Sequence, residues 1–517
     1  NITKMNIANL ADVFVDVDNE GNVALSNDQR TVIINHTGQN AVASYRGTLI
    51  GKIGSDYYFY EQSPNEYYTG TWKSYTQETE YIFNKDNGTY GLTNGTIIQV
   101  AQNIDGNTNE RAKRTNTLLT FNAGAYALTL VPETATIVTT TEDVINLFDG
   151  VTSLREALIY VTQGAYINNQ ITFADHLFNE NTNNSQIVLQ DCYGELVINE
   201  KSSNTNIIIN AAQKEDGTND NNRTVTVKVP TTYTESETNQ TEASGYRVLR
   251  AGNETDTTSK WDITLTNLQL QGGDVSQNNE NGGVIFVQGQ TANVTLNNSS
   301  ASDAKATNGG AIYIHATDTD NSSIMLNSSD ILNNTATKNG GAIYSNVSVT
   351  VTGTENNMSN IANNTATENG GAIYATDTLN IDYTTFTSNE SGINGGAIYS
   401  EDTLTVNNTE FDKNIATNNG GAIYTNGETN IDNNTFENNE ANNGGAIYSE
   451  DTLTVNNTEF DKNTATTNGG AIYANGETNI DNNTFANNDA IDGGAIYATD
   501  TLTVNNTEFD KNTATTN

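Results

Sequence analysis

The chain has 517 residues, with 22 Lys+Arg against 62 Asp+Glu and a formal charge of −40. That sign excludes a binder of nucleic-acid backbone, which needs a basic face to displace counterions, and docking on anionic lipid through a polybasic patch. Only 16% of residues are charged and 83 are Asn, so polarity comes from uncharged side chains; with helix formers sparse, an extended fold is expected.

The single cysteine, Cys192, permits no intrachain disulfide. The chain contains no run of 18 apolar residues, the length a membrane-spanning helix needs. The sequence starts at Asn1 without Met, so a start processed by signal-peptide removal is expected.

In chain order, residues 1–144 show no repeat. Alternating stretches such as Thr31–Ile34 and Thr117–Phe121 predict a small β-rich domain for docking or assembly. It carries the aromatic cluster Tyr57, Tyr58, Phe59, Tyr60, Tyr67, Tyr68, Trp72, Tyr75, Tyr81 and Phe83. Core packing and a ligand or self-assembly surface are both open for that cluster.

Residues 145–281 predict a capping helix and irregular first rungs. Thr152 or Ser153 can N-cap a short helix, with Glu156 placed for a capping box. Strands follow near 170–174, 186–190, 195–199 and 206–209, with excursions near 213–222 and 231–245.

From 282 to 517 the sequence is an array. Gly-Gly-Ala-Ile-Tyr begins at Gly309, Gly340, Gly370, Gly395, Gly420, Gly444, Gly469 and Gly493, and Gly-Gly-Val-Ile-Phe at Gly282. The intervals are 27, 31, 30, 25, 25, 24, 25 and 24. A second signature is an apolar residue, two others, then Asn: Ile331–Asn334, Ile361–Asn364, Phe386–Asn389, Phe411–Asn414, Phe436–Asn439, Phe460–Asn463, Phe485–Asn488 and Phe509–Asn512. The register at Asn517 suggests an array that continues. Helical solenoids and propeller blades need longer units, and leucine-rich repeats need more Leu. The fold predicted is all-β: a right-handed parallel β-helix (solenoid) with about 24–25 residues per rung. Equivalent residues then stack on themselves about 4.8 Å apart.

Several positions follow. Asn334, Asn364, Asn389, Asn414, Asn439, Asn463, Asn488 and Asn512 are expected to form a structural inward ladder. The Gly pair suits a corner that needs positive φ or close backbone approach. Either Ile or the Ala and Tyr of Gly-Gly-Ala-Ile-Tyr face the core. With Ile inside, Tyr313, Tyr344, Tyr374, Tyr399, Tyr424, Tyr448, Tyr473 and Tyr497 form an exposed aromatic stripe. That stripe serves either as a sugar- or partner-binding face or as a ladder that stiffens the rod.

The N-glycosylation pattern Asn-x-Ser/Thr recurs, with acceptors expected at Asn35, Asn87, Asn94, Asn239, Asn253, Asn407, Asn456 and Asn505. By strand alternation Asn407 and Asn433 face opposite ways. Asp412, Asp461 and Asp510 recur in register and suit Ca2+, but alternate units place Glu437 and Ala486 there. No metal or other cofactor is therefore expected, with Ca2+ kept as an alternative. His36, His176 and His315 are scattered, which gives no zinc cluster or His-based triad.

The Gly-Gly-Ala-Ile strings, alternating with Phe-x-x-Asn, resemble the polymorphic outer-membrane-protein repeats of bacterial adhesins and autotransporter passengers. They are similar also to adhesin-like surface proteins of methanogenic archaea. Ser153-Leu154-Arg155-Glu156-Ala157 with Ile171-Thr172-Phe173 resembles the capping segment of pectate-lyase-like adhesive domains, although Thr152 stands where that family carries Cys. The resemblance covers residues 150–517 and implies a non-enzymatic extracellular, cell-surface adhesin or filament subunit. The implied partners are further copies of itself and the glycans or proteins of host or neighbouring cell surfaces. Some β-helices are polysaccharide lyases or glycoside hydrolases, which is the alternative; no singular break in the late units marks a catalytic site. Ice binding is a third reading, weakened because Thr429-Asn430-Ile431 interrupts the Thr-x-Thr stretches.

Overall fold

The computed structural model describes residues 136–517 apart from 145–150, 163–168, 179–182, 192, 199–205, 234–240, 244 and 517; before 136 it describes strand segments only. Two compact units result, one comprising 1–194, 201–209 and 213–220, the other 195–200, 210–212 and 221–517.

The first unit carries an antiparallel meander. Thr48–Ile53, Asp56–Gln62, Thr69–Ser74 and Glu78–Asn84 pair in sequence order. The aromatic side chains of that stretch, Cys192 and His36 lie outside the described residues. Further along, Ile137–Val138 pairs in parallel with Gln170–Phe173. Between those strands comes helix α1, Leu154–Thr162. Ser153 is its N-cap: the Glu156 amide donates to Ser153 Oγ at 3.1 Å, and the Ser153 amide donates to Glu156 Oε2 at 2.8 Å. This reciprocal box satisfies two amides that the helix cannot pair itself. Arg155 points inward and is 2% exposed. Its guanidinium forks onto Asp143 at 2.6 and 2.8 Å and donates to the Gly194 carbonyl at 2.7 Å.

The second unit is a right-handed parallel β-helix with four faces. One coil illustrates all of them: Leu404–Asn407, Glu410–Asp412, Ile415–Ala416 and Ile423–Thr425. The Ile-Tyr face is an 11-stranded parallel sheet from Leu196–Ile198 to Ile496–Ala498. A 9-stranded sheet runs from Lys305–Ala306 to Thr513–Ala514. The other two faces run in register from Lys260–Thr266 to Leu502–Asn505 and from Thr224–Lys228 to Glu508–Asp510 within this unit. An antiparallel hairpin, Thr231–Tyr233 with Thr241–Ala243, forms one of the early excursions.

Three of the four corners of this coil are marked by left-handed backbone, Asn408 at φ 46°, Lys413 at φ 55° and Gly420 at φ 65°, while the fourth, at Asn426-Gly427-Glu428, has none. Asn tolerates this region better than most residues, because its short amide bonds locally. The two glycines of each pair do different work. The first turns the corner at positive φ. The second lets two coils touch, since a Cβ on Gly421 would lie 2.0 Å from the Gly445 carbonyl oxygen.

The core is made of identical stacks. Ile343, Ile373, Ile398, Ile423, Ile447 and Ile472 are fully buried, so Ile and not Tyr faces inward. Phe386, Phe411, Phe436, Phe460 and Phe485 are also fully buried, and their rings stack at 4.6–5.0 Å. Leu404, Leu453 and Thr429 alternate on the first face. Thr429 is buried because its hydroxyl bonds the Gly427 carbonyl at 3.0 Å and Thr425 Oγ1 at 2.8 Å. Two coil types of 24 and 25 residues therefore share one cross-section.

Candidate functional site

The repeated faces hold the only extended constellations among the described residues, so the site is built from ladders. The inner one is Asn334, Asn364, Asn389, Asn414, Asn439, Asn463 and Asn488, all fully buried, ending at the partly exposed Asn512. Each amide spans three coils. Asn439 Nδ2 donates to Phe411 O of the preceding coil at 2.9 Å and to Asn463 Oδ1 of the following coil at 2.9 Å. Its own Oδ1 accepts from the Asn414 backbone amide and from Asn414 Nδ2, both at 3.0 Å. Only an amide carries both donor and acceptor at this reach, so neither Asp nor Leu can replace it without loss.

Sequence reasoning missed two further Asn ladders. The residue before each Gly-Gly is Asn from Asn281 to Asn468, and the side chains bond along the array: Asn419 to Asn394, Asn443 to Asn419 and Asn468 to Asn443, at 2.9–3.0 Å. The chain of bonds lapses at Asn369, whose Oδ1 is buried without a partner, and ends at Asp492. The other missed ladder lies on the left-handed corner, where Asn433 donates to Asn408 and Asn482 to Asn457 at 2.6 Å. A constant Asn at a fixed offset from Gly-Gly was the available signal for the first. For the second the signal was weaker, because Ser328 and Tyr383 occupy the same corner in earlier coils.

The tyrosine face requires a correction. Tyr313, Tyr344, Tyr374, Tyr399, Tyr473 and Tyr497 point outward but are only partly exposed, and Tyr424 and Tyr448 are 9% exposed. The stripe is therefore not the exposed surface expected. Its rings cover one another at centroid distances of 4.6–5.2 Å and interplanar angles of 2–14°. Stacking consumes the ring faces that a sugar would need, leaving edges and hydroxyls.

Four of those hydroxyls are also engaged, with alternating polarity. Tyr374 donates to Glu401, and Tyr424 donates to Glu450 at 3.1 Å. In the intervening coils Tyr399 accepts from Asn426 at 3.3 Å and Tyr448 accepts from Asn475 at 3.0 Å. Burial raises all of these phenols, and the neighbouring carboxylates push Tyr374 and Tyr424 further up. Tyr448 is pushed up to about 12, by burial first and then by Glu450. Tyr313, Tyr344 and Tyr473 on the same face are raised as well, in each case by burial first.

At its start the ladder is terminated by a cation. Phe286 stacks on Tyr313 at 5.4 Å, and the Arg247 guanidinium lies 5.2 Å from the Phe286 centroid. Arg247 is 5% exposed and bonds Glu195 at 2.9 Å, Glu280 at 2.6 Å and the Gly282 carbonyl at 3.1 Å.

The acidic column is broken as its sequence implies: Asp412 pairs in register with Glu437, Glu437 with Asp461, Asp461 with Ala486 and Ala486 with Asp510. Lys413, Lys462 and Lys511 each sit on the adjacent Asp at the surface. Among the described residues no three His, Cys, Asp or Glu side chains converge as a metal set. His176 contacts the Thr139 carbonyl, while His315 lies beside Tyr313.

Of the glycosylation acceptors, the side chains of Asn35, Asn87, Asn94 and Asn239 lie outside the described residues. Asn253 Oδ1 accepts from the Thr255 amide and hydroxyl. Asn407 and Asn456 are partly exposed and Asn505 is exposed. Their partner threonines bond inward, Thr409 to Asn407 O at 2.6 Å and Thr458 to Asn456 O at 2.7 Å. Asn433 is exposed as well. The expectation that Asn407 and Asn433 face opposite ways fails because Asn433, at φ 58°, turns the corner, where strand alternation stops.

This is a parallel β-helix repeat protein whose coils are held by side-chain ladders. Six segments, 328–346, 359–376, 383–401, 408–426, 435–450 and 457–475, match the Chlamydia polymorphic membrane protein (Chlamydia_PMP) repeat. These six segments, within 328–475, are thus repeats of polymorphic-membrane-protein type, and each spans both the apolar-x-x-Asn and the Gly-Gly signatures. No curated protein and no solved structure matches the chain.

Proposed function

We propose that this chain is a non-enzymatic, extracellular surface adhesin or filament subunit, with the β-helix as stalk and display surface. The observation that carries this reading is the run of six polymorphic-membrane-protein repeats in coils whose inward and outward positions stack in register. Continuous hydrogen-bond ladders supply stiffness without disulfides, and recurring corner Asn, Thr and carboxylate groups supply many weak, equivalent contacts. The partners are surface glycans or proteins, and end-to-end copies of the chain. Because the rings of the tyrosine face are stacked, the polar corners are the better contact surface. Any glycan on Asn407 or Asn456 has to be added before folding, since Thr409 and Thr458 are 3% exposed. Intact-mass analysis checks for it.

The test is in two parts. Intact cells are treated with protease and probed for loss of the array, then purified chain is offered to cells and isolated surface polysaccharide. Protease loss and saturable binding without cleavage support the proposal. A protected intracellular protein, or depolymerisation of the polysaccharide, overturns it.

A further inference from the structure

Ten Asn-Gly steps lie between 281 and 476 in the array. This dipeptide is prone to spontaneous ring closure. The Gly backbone nitrogen loses its proton and attacks Asn Cγ, the Cγ–Nδ2 bond breaks, and ammonia leaves. Water then opens the succinimide to Asp or isoaspartate. The chemistry needs a free Gly amide and a side chain that can swing onto it. The fold sorts the ten steps into two kinds.

Eight precede the Gly-Gly pairs. In each, the Gly amide donates to a backbone carbonyl of the next coil: Gly309 to Asn339, Gly370 to Asn394, Gly420 to Asn443 and Gly444 to Asn468, at 2.9–3.0 Å, with Gly282, Gly340, Gly395 and Gly469 bonded likewise at 2.9–3.1 Å. Most of the Asn side chains are also tied into their own ladder. The nucleophile is occupied, and the electrophile is held.

The other two, Asn426-Gly427 and Asn475-Gly476, belong to the alternate coil type. Neither Gly427 nor Gly476 donates a backbone hydrogen bond, and both are partly exposed. Asn426 is exposed, and its one side-chain bond is the long donation to Tyr399 at 3.3 Å. Asn475 is better held, by Tyr448, Glu450 and Thr499.

We propose that Asn426 and Asn475 are the sites at which the folded array modifies itself, by succinimide-mediated deamidation, with Asn426 the faster. At 426 the product costs only the long donation to Tyr399, whereas at 475 it also sets a second carboxylate beside Glu450 in place of a donor. An Asp at 475 lacks the donor that Tyr448 now accepts from, but Tyr448 can rotate its proton and donate, as Tyr374 already does to Glu401. Each conversion adds one negative charge to a corner column that already carries Glu401 and Glu450. The same conversion in the inner ladder would place a carboxylate against Phe carbonyls and disrupt the core. The fold therefore confines ageing to a surface corner outside the core.

The experiment incubates the full chain in mildly alkaline buffer, once folded and once in concentrated urea, followed by peptide mapping for deamidation and isoaspartate. Folded protein is expected to deamidate at 426 and 475 at least about tenfold faster than at any Asn before Gly-Gly, because the latter need local opening first. In urea that contrast is expected to vanish. Asn426→Gln should silence its own peptide while leaving 475 unchanged. Equal rates across the ten steps in folded protein, or no reaction at 426 while the urea sample reacts, overturns the proposal.

Discussion

Two stretches of one β-helix solve the stacking problem differently. Between Leu196 and Asn281 the coils are long and unalike: Leu249 and Ile285 are register partners 36 residues apart. They are held by singular groups, such as the Trp261 indole donating to the Gln288 carbonyl at 2.7 Å and Arg247 bridging Glu195 and Glu280. From 395 onward the coils are 24–25 residues long and held by groups that recur in every coil or every second one. The early stretch concentrates its stability in a few residues. The late stretch distributes it, so that each coil depends mainly on its two neighbours.

The largest expected effect comes from Gly421→Ala. The new Cβ would sit 2.0 Å from the Gly445 carbonyl oxygen and 2.6 Å from the Glu440 nitrogen, so the backbones of two coils must part. A loss of more than about 4 kcal/mol is expected. Since neighbours carry each coil, hydrogen exchange should show the opening localised around 415–445. Uniform loss of protection across the whole unit would erase the contrast between the two stretches.

Arg247→Met comes next. It removes the guanidinium from Glu195, Glu280 and the Phe286 ring, while Arg250 stays on Glu195. Glu280 is 41% exposed and can find water, so urea denaturation should show a loss of about 3 kcal/mol, the lower end for a broken buried pair. No position from 395 onward should match this through charge alone. A neutral Arg247→Met would make the early stretch as distributed as the late one.

Asn439→Ala follows, at about 2 kcal/mol by the same measurement. It strands the buried Asn414 amide, which now bonds Asn439 Oδ1 at 3.0 Å. The same change at Asn414 or Asn463 should cost nearly the same, because the environments repeat. Widely different costs at the three would show that the ladder is not one structure.

How far the sequence displayed this depends on repetition. Where coils recur, the comparison of one unit with the next isolates each constraint: the Gly pair for a corner and a close approach, Ile between Ala and Tyr for the core, Asn after the apolar position for an inward amide. Tandem copies separate what must stay from what drifts. The Arg155–Asp143 and Arg247–Glu195 pairs span 12 and 52 residues and occur once, so nothing in the chain marks them as partners. The corner Asn escaped for a third reason. Alternation along a strand says nothing about a left-handed residue between strands, and Asn433 lies there.

The smallest effect belongs to the tyrosine face. Tyr424→Phe keeps the stacked ring and removes one hydroxyl from Glu450, so a loss under about 1 kcal/mol is expected. What this face should reveal instead is pH dependence. Tyr448 titrates near 12 in the folded chain against an ordinary 10.0, and Tyr313 is likewise raised to about 12. Between those values the folded chain binds more protons than the unfolded one, so its stability falls as pH rises. The ladder's contribution should be whole below about pH 10 and lost as pH approaches about 12. Ultraviolet titration of phenolate alongside urea denaturation tests this directly. Phenolate appearing at ordinary pH without unfolding would mean that the hydroxyls are free, and the face would regain its standing as a surface open to ligands.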